Sequence, residues 1–433
     1  MIRRFLSQWF DRTTLLSMHL PAITIGFGLG ATAVVIPAMT KDLGEGVLAT
    51  MMVFILQQLG TAIAPIPTGF LLDRIGRRKI LLAGPLLIAL SSLLIVRVIV
   101  TDGSIIEIMV YRFFAGIGEQ MWMLSRLTVI ADTSGAQQRG KQITSMFGVQ
   151  QIGTLTGPIV GGAASVAIGL WVPFAIHGVI VVLGVLPSFF VVKETLQRTP
   201  AANGVTAAPR QGLSRKDLLM PPIPFVFAAQ FLANVTRGGI FGGGVIVTYA
   251  SFGFGMNELE IGTLRSFMAF AGIPITFTAG YVMDRYGRKF TIVPGLMLSG
   301  LAMSFLALTN YLDVDKAVFV VAFVAVHLAV SLISGNMQTL GTDVAPAHAR
   351  GAFFGVSRLV AQTGALSSPS SFALLITVST FTVAFSLLAA SAFAAGLVVF
   401  FGIPETLKKE GLAPADSAAG KTGSSGSISA PLK

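Results

Sequence analysis

The chain has 433 residues, of which 53% are hydrophobic and only 11% charged. Soluble proteins carry about 25% charged residues, so this apolar surplus excludes a water-soluble globule and makes lipid the solvent for much of the surface. The net charge of +11 alternates with apolar runs instead of gathering in one patch, which reads as membrane topology and not as nucleic-acid binding, and the absence of cysteine excludes disulfides and thiolate chemistry.

Apolar runs long enough to cross a bilayer as helices recur twelve times. The first six are expected at 13–38, 47–72, 80–101, 105–131, 142–168 and 170–192. The first run is too long for the core of a signal peptide and is read as a spanning helix. A linker rich in Pro, Ala and Gly follows at 193–222. Six more spans are expected at 223–252, 259–283, 290–311, 317–342, 351–376 and 379–403, and a Gly/Ser/Ala tail over 408–433 reads as disordered. The expected domains are a six-helix bundle over 1–192, the linker, a second bundle over 223–407 and the tail. Lys and Arg crowd the loops of one side, while the opposite loops hold only Lys41 and Lys316. That asymmetry places both termini in the cytoplasm, with the chain in the plasma (inner) membrane.

The chain repeats itself at an offset of 211 residues. Gly69, Asp73, Arg74, Gly76 and Arg77 return as Gly280, Asp284, Arg285, Gly287 and Arg288. Asp132 returns as Asp343, and Glu194-Thr195-Leu196 as Glu405-Thr406-Leu407. Two matched halves with a site between them is the expected architecture. Asp73 ends helix 2, where its charge meets the negative end of the helix dipole and needs a positive partner. Arg77 or the start of helix 11, just after Arg350, can supply one, and by duplication Asp284 is expected to face the start of helix 5, just after Arg139. Asp132 and Asp343 are expected to pair with Arg77 and Arg288, as a gate that holds the halves together and breaks on opening.

GFLLDRIGRRK at 69–79, with its echo GYVMDRYGRK at 280–289, resembles the signature loop of the major facilitator superfamily. GTLTGPIVGG at 153–162 resembles the helix 5 motif of drug:proton antiporters, and YRFFAGIGE at 111–119 is similar to the helix 4 motif of that branch. The resemblance covers helices 1–12 and implies an all-α membrane fold: two pseudo-twofold-related six-helix bundles around a cavity that opens alternately to each side. It implies proton-coupled efflux. Gly153, Gly157, Gly161 and Gly162 give helix 5 a smooth packing face, and Pro158 removes a backbone donor and bends it. Helix 1 carries no carboxylate, unlike many drug exporters.

Ionisable groups at bilayer depth are expensive and mark function. Arg112, Glu119 and Arg126 on helix 4 are seven residues apart, so they share one face over about 21 Å. Glu119 is the one deep carboxylate and the expected proton site, with Arg112 beside it. Helix 7 adds Asn234 and Arg237, and helix 10 a stripe of His327, Ser331, Ser334 and Gln338. Arg265 and Arg358 have two readings, lining the cavity or snorkelling. His19 and His177 read as packing residues. Three arginines facing one carboxylate suggest an anionic or zwitterionic organic substrate. An anion that took the arginines would leave Glu119 to a proton and give symport, whereas a cationic group would displace the proton and give antiport. The helix 5 motif favours antiport. A proton:organic-anion symporter and a non-transporting receptor or scaffold remain the alternatives. GAQQRGK at 135–141 lacks the Ser/Thr and the preceding strand of a phosphate loop, and no nucleophile–base set or metal spacing stands out. No enzyme activity, cofactor, metal or nucleic acid is expected; the expected partners are substrate, protons and lipid, and the expected state is a monomer.

Overall fold

A computed structural model of the chain describes residues 15–133, 136–195, 215–242, 244–333, 335–346 and 349–406. Residues 1–14, 196–214 and 407–433 lie outside these, as does Ser334, so the expected tail and most of the expected linker are not described.

Each expected span coincides with a helical run. Helix 1 is Leu15–His19, Leu20–Ala33 and Ile36–Asp42; helix 2 is Val47–Ile63 and Pro65–Ile75; helix 3 is Arg77–Val100. Helices 4, 5 and 6 are Ile105–Thr133, Ala136–Ala167 and Val172–Val191. Helix 7 is Ile223–Phe241 and Val245–Phe254, helix 8 is Glu258–Tyr286, and helix 9 is Arg288–Tyr311. Helix 10 is Lys316–Ile333 and Asn336–Val344, helix 11 is Arg350–Val378, and helix 12 is Phe381–Gly402. The breaks have local causes. Helix 2 bends by 46° where Pro65, which has no N–H to give, opens the second segment. Helix 7 breaks before Gly244 (φ 65°) and helix 10 beside Gly335 (φ 84°), left-handed conformations that favour glycine.

Eight helices among the described residues are long and apolar enough to cross a membrane, or nine if bent helix 2 counts as one. Helices 4, 5 and 7 fall outside that set, and these three carry Arg112, Glu119 and Arg126, the Gln150–Gln151 pair, and Asn234 with Arg237. Neighbours enclose them: helix 4 packs on helices 2 and 3, helix 5 on helices 1 and 8, and helix 7 on helices 11 and 12. Outward faces carry exposed Phe267, Phe270, Phe277, Leu301 and Phe401, a surface suited to acyl chains.

Helix 5 is the closest packer. A methyl group at Gly153 would lie 2.2 Å from the Ile23 carbonyl oxygen, and one at Gly157 2.1 Å from that of Phe27, both on helix 1. Gly161 abuts Ala31 of the same helix, while Gly162 abuts Glu258 at the start of helix 8. One helix thus ties its own half to the other.

The halves meet toward the end away from the arginine-rich loops. Lys41 Nζ donates to the Ser251 carbonyl at 2.6 Å and lies over the Phe252 ring. The Ile159 N–H donates to Ser266 Oγ at 3.1 Å. The Phe54 ring sits where a side chain on Gly244 would be. Val34, Val35 and Phe54 share one buried cluster with Ile240, Val245 and Tyr249. Among the described residues no ion pair crosses between the halves at the basic end.

Candidate functional site

Below that seal a cavity of about 200 Å³ opens between the halves. Leu29, Ala33, Phe54 and Phe241 form its apolar walls, and Gln57, Gln58, Thr61, Thr154, Arg112, Glu119 and Arg265 its polar ones. Among the described residues Glu119 is its only acidic lining group. Arg112 donates to Gln57 Oε1 and, at 3.4 Å, to Thr32 Oγ1. The Gln57 amide also hydrogen-bonds Glu119, so helix 2 joins acid to base. Arg358, on helix 11, lies within electrostatic reach of Glu119 from the second half. Arg265 reaches the cavity from helix 8 and, among the described residues, donates only to the Phe241 carbonyl, at 3.3 Å.

The helix 4 face divides. Arg112 and Glu119 line the cavity, but Arg126 does not. It is fully buried, its guanidinium 3.8 Å from the Trp122 ring centre and 5.1 Å from that of Phe147. Nη2 donates to Gln150 at 2.9 Å, while Nε and Nη1 have no partner. Arg126 therefore does not reach the cavity in this conformation, because Trp122 of its own helix and Phe147 and Gln150 of helix 5 close over it. Arg237 is exposed, its guanidinium 5.3 Å from the Phe241 ring centre, and does not line the cavity. Asn234 turns back onto its own helix, donating to the Gln230 carbonyl at 2.8 Å. Of the helix 10 stripe, Ser331 faces helix 8 and not open space: it packs on Gly272, and its carbonyl accepts from Thr276. His327 is buried, stacked on Phe323 and edge-on to Phe241, with Nδ1 against the Phe323 carbonyl. Gln338 lies past the helix 10 break and is exposed.

Sequence reasoning passed over Gln57, Gln58 and Thr154; the signal for the first two was a pair of adjacent amides inside an apolar span. His177 shares a hydrogen bond with Ser92 at 3.2 Å, and Gly28 makes room for its ring. His19 contacts Ser145 at 3.1 Å. Both are buried between helices.

The basic end is built twice. Arg77 pairs with Asp73 and Asp132, each at 3.3 Å. Arg288 pairs with Asp284 at 2.5 Å and Asp343 at 3.0 Å. Each set lies inside one half, which corrects the expectation that these pairs bind the halves together. Asp73 and Asp284 are largely exposed, at 78% and 72%. Glu194 accepts from the backbone N–H groups of Arg77 and Arg78, and Glu405 from those of Arg288 and Lys289. Thr195 donates to Asp132, and Thr406 to Asp343. These acids satisfy the orphan donors at the starts of helices 3 and 9. The Glu-Thr-Leu repeat was visible in the sequence, but this use of it was not.

The fold is shared with known structures. A D-xylose-proton symporter gives a TM-score of 0.71 at 17% identity, over 91% of this chain and 98% of that one. A bacterial homologue of the iron transporter ferroportin, in an inward-facing state, gives 0.71 at 17% identity over 90% and 98%. In sequence, the chain is 26% identical over 235 residues to the class B tetracycline resistance protein of Escherichia coli, and 21% identical over 237 residues to multidrug resistance protein 2 of Bacillus subtilis (strain 168). Each match covers 54% of this chain and 57% of the relative, so the chain matches little more than half the length of these curated proteins. The family model described as Major Facilitator Superfamily matches residues 20–369 and 227–425. Taken with the two matched halves and the cavity between them, that match over most of the chain places the protein in the Major Facilitator Superfamily.

Proposed function

We propose that the chain is a proton-coupled secondary transporter that exports a small organic molecule by antiport. The observation that carries this reading is Glu119, an acid in the cavity between the halves, tied through Gln57 to Arg112. A carboxylate at that depth alternates between a charged form held by its neighbours and a protonated form, and substrate competes with the proton for it. The efflux direction is supported by the likeness to a tetracycline resistance and a multidrug resistance protein, and by the glycine face of helix 5. In this reading the bundles over 1–192 and 223–407 rock against each other, with the basic end and both termini in the cytoplasm. The two Asp–Arg clasps stiffen the basic rims, and the exposed Asp73 and Asp284 are free to meet the opposite half when that end closes.

The test is reconstitution in liposomes with a pH dye inside. Glu119→Gln is expected to lose substrate-driven proton flux, and undiminished flux would overturn the assignment. A second reading, proton:organic-anion symport, is favoured by one observation: Arg265 enters the same cavity and leaves its charge in excess.

A further inference from the structure

The cavity holds two guanidiniums and one carboxylate. Arg112 and Glu119 come from helix 4, whereas Arg265 comes from the other half. Arg112 is provided for by Gln57 and Thr32. Among the described residues Arg265 has one weak carbonyl contact and no ion pair. A half-buried cation in a membrane cavity with one poor acceptor is under-satisfied, and a planar oxyanion is the group that fits its fork. A purely anionic ligand would meet Glu119 as a like charge, and a purely cationic one would meet Arg265.

We infer that the cavity takes a small zwitterion, its carboxylate bridging Arg265 to Arg112 across the halves and its ammonium on Glu119. The assignment rests on the antiport reading and deepens it. The ammonium replaces the proton on Glu119, and that proton leaves to water, so substrate entry and proton release are one exchange. The charged groups around Glu119 are Arg112 and Arg126 of its own helix, Arg265 of helix 8 and Arg358 of helix 11, all cationic. A carboxylate on the ligand offsets two of them and lets the ammonium be tolerated. The volume bounds the size. About 200 Å³ is the space of roughly seven waters at ~30 Å³ each. Phe54 and Phe241 supply apolar walls for the ligand's body.

The experiment measures binding and proton release by the full-length protein in nanodiscs. The ligands are ω-amino acids from glycine to 6-aminohexanoate and 4-(aminomethyl)benzoate, each beside its matched acid and matched amine. Zwitterions are expected to bind at least about tenfold more tightly than either counterpart, one ion contact's worth, and to release a proton. Arg265→Gln erases the advantage over the matched amine, and Arg265→Lys, which keeps the charge, retains part of it. Glu119→Gln removes the proton release. Tighter binding by amines alone overturns the inference and leaves antiport standing. Binding by acids with proton uptake overturns it and supports symport. No binding by the zwitterions up to about 10 mM, well above the millimolar affinity of a weak ligand, overturns it as well. Zwitterion binding with no proton exchange sinks the antiport reading and this inference together.

Discussion

The two halves are near copies at the basic end and unlike in the middle. Around Arg77 and Arg288 the same ion pairs, the same capping glutamate and the same threonine recur, with distances that agree within a few tenths of an ångström for most contacts. In the interior the offset of 211 pairs unlike residues. Arg112, Glu119 and Arg126 correspond to Phe323, Val330 and Met337. Arg237, Arg265 and Arg358 correspond to Gly26, Phe54 and Phe147. The first half thus supplies the acid, and the second supplies arginines where its twin has small or aromatic residues. A shared rim with a divided interior fits a device whose moving parts must match while its chemistry need not.

The strongest test of the divided interior is Glu119→Gln. It should lower pH-driven transport by about 100-fold or more, in the range lost when an essential proton-transfer group is removed, while Val330→Gln at the matching position changes it far less. Transport into liposomes across an imposed pH gradient separates the two. Next is the packing of helix 5. Gly157→Leu forces a side chain against the Phe27 backbone, 2.1 Å from the first added carbon. Overpacking of this kind costs about 1–3 kcal/mol or more, so thermal unfolding in detergent should drop sharply. Ser368, which stands at the position matching Gly157 in the second half, is predicted to tolerate Leu no better, since it too is buried.

The shared rim makes a sharper prediction. Glu194→Gln and Glu405→Gln should each destabilise by up to about 1.5–3 kcal/mol, the value of hydrogen bonds to a charged group, and by nearly equal amounts. Unequal shifts in unfolding temperature would break the equivalence of the two rims. The smallest effect is expected at Asp73→Asn and Asp284→Asn. Both acids are exposed and pair at i,i+4, so stability should change by less than about 1 kcal/mol. If they meet the opposite half on closing, a distance label across the basic end should instead report a shift in the open population.

The sequence carried the helices and rims because they depend on local pattern and on one repeating offset. The glycine face of helix 5 was legible for the same reason: spacing alone puts Gly153, Gly157 and Gly161 on one side. The interior was legible only in part. Spacing put Arg126 on the face of Glu119, but it could not reveal that Trp122, Phe147 and Gln150 close over it. Arg265 could have snorkelled, and only the packing of helix 8 on helix 5 turns it inward. On helix 10, spacing grouped Ser331 with His327 and Gln338, yet Ser331 packs on helix 8, His327 on Phe323 and Phe241, and Gln338 is exposed. A helical wheel says which residues travel together, not what stands opposite them.

The capping glutamates have a mechanical consequence. Glu194 and Thr195 fasten the end of helix 6 to helices 3 and 4 by three hydrogen bonds just where the chain departs toward the other half. A tug arriving along that connection is spent on the fastening, as on the strain relief of a cable, before it reaches the wall of the cavity. Residues inserted between 196 and 214 should therefore leave the interior undisturbed, and the connection can be lengthened, cut to a new composition or loaded with cargo at little expense.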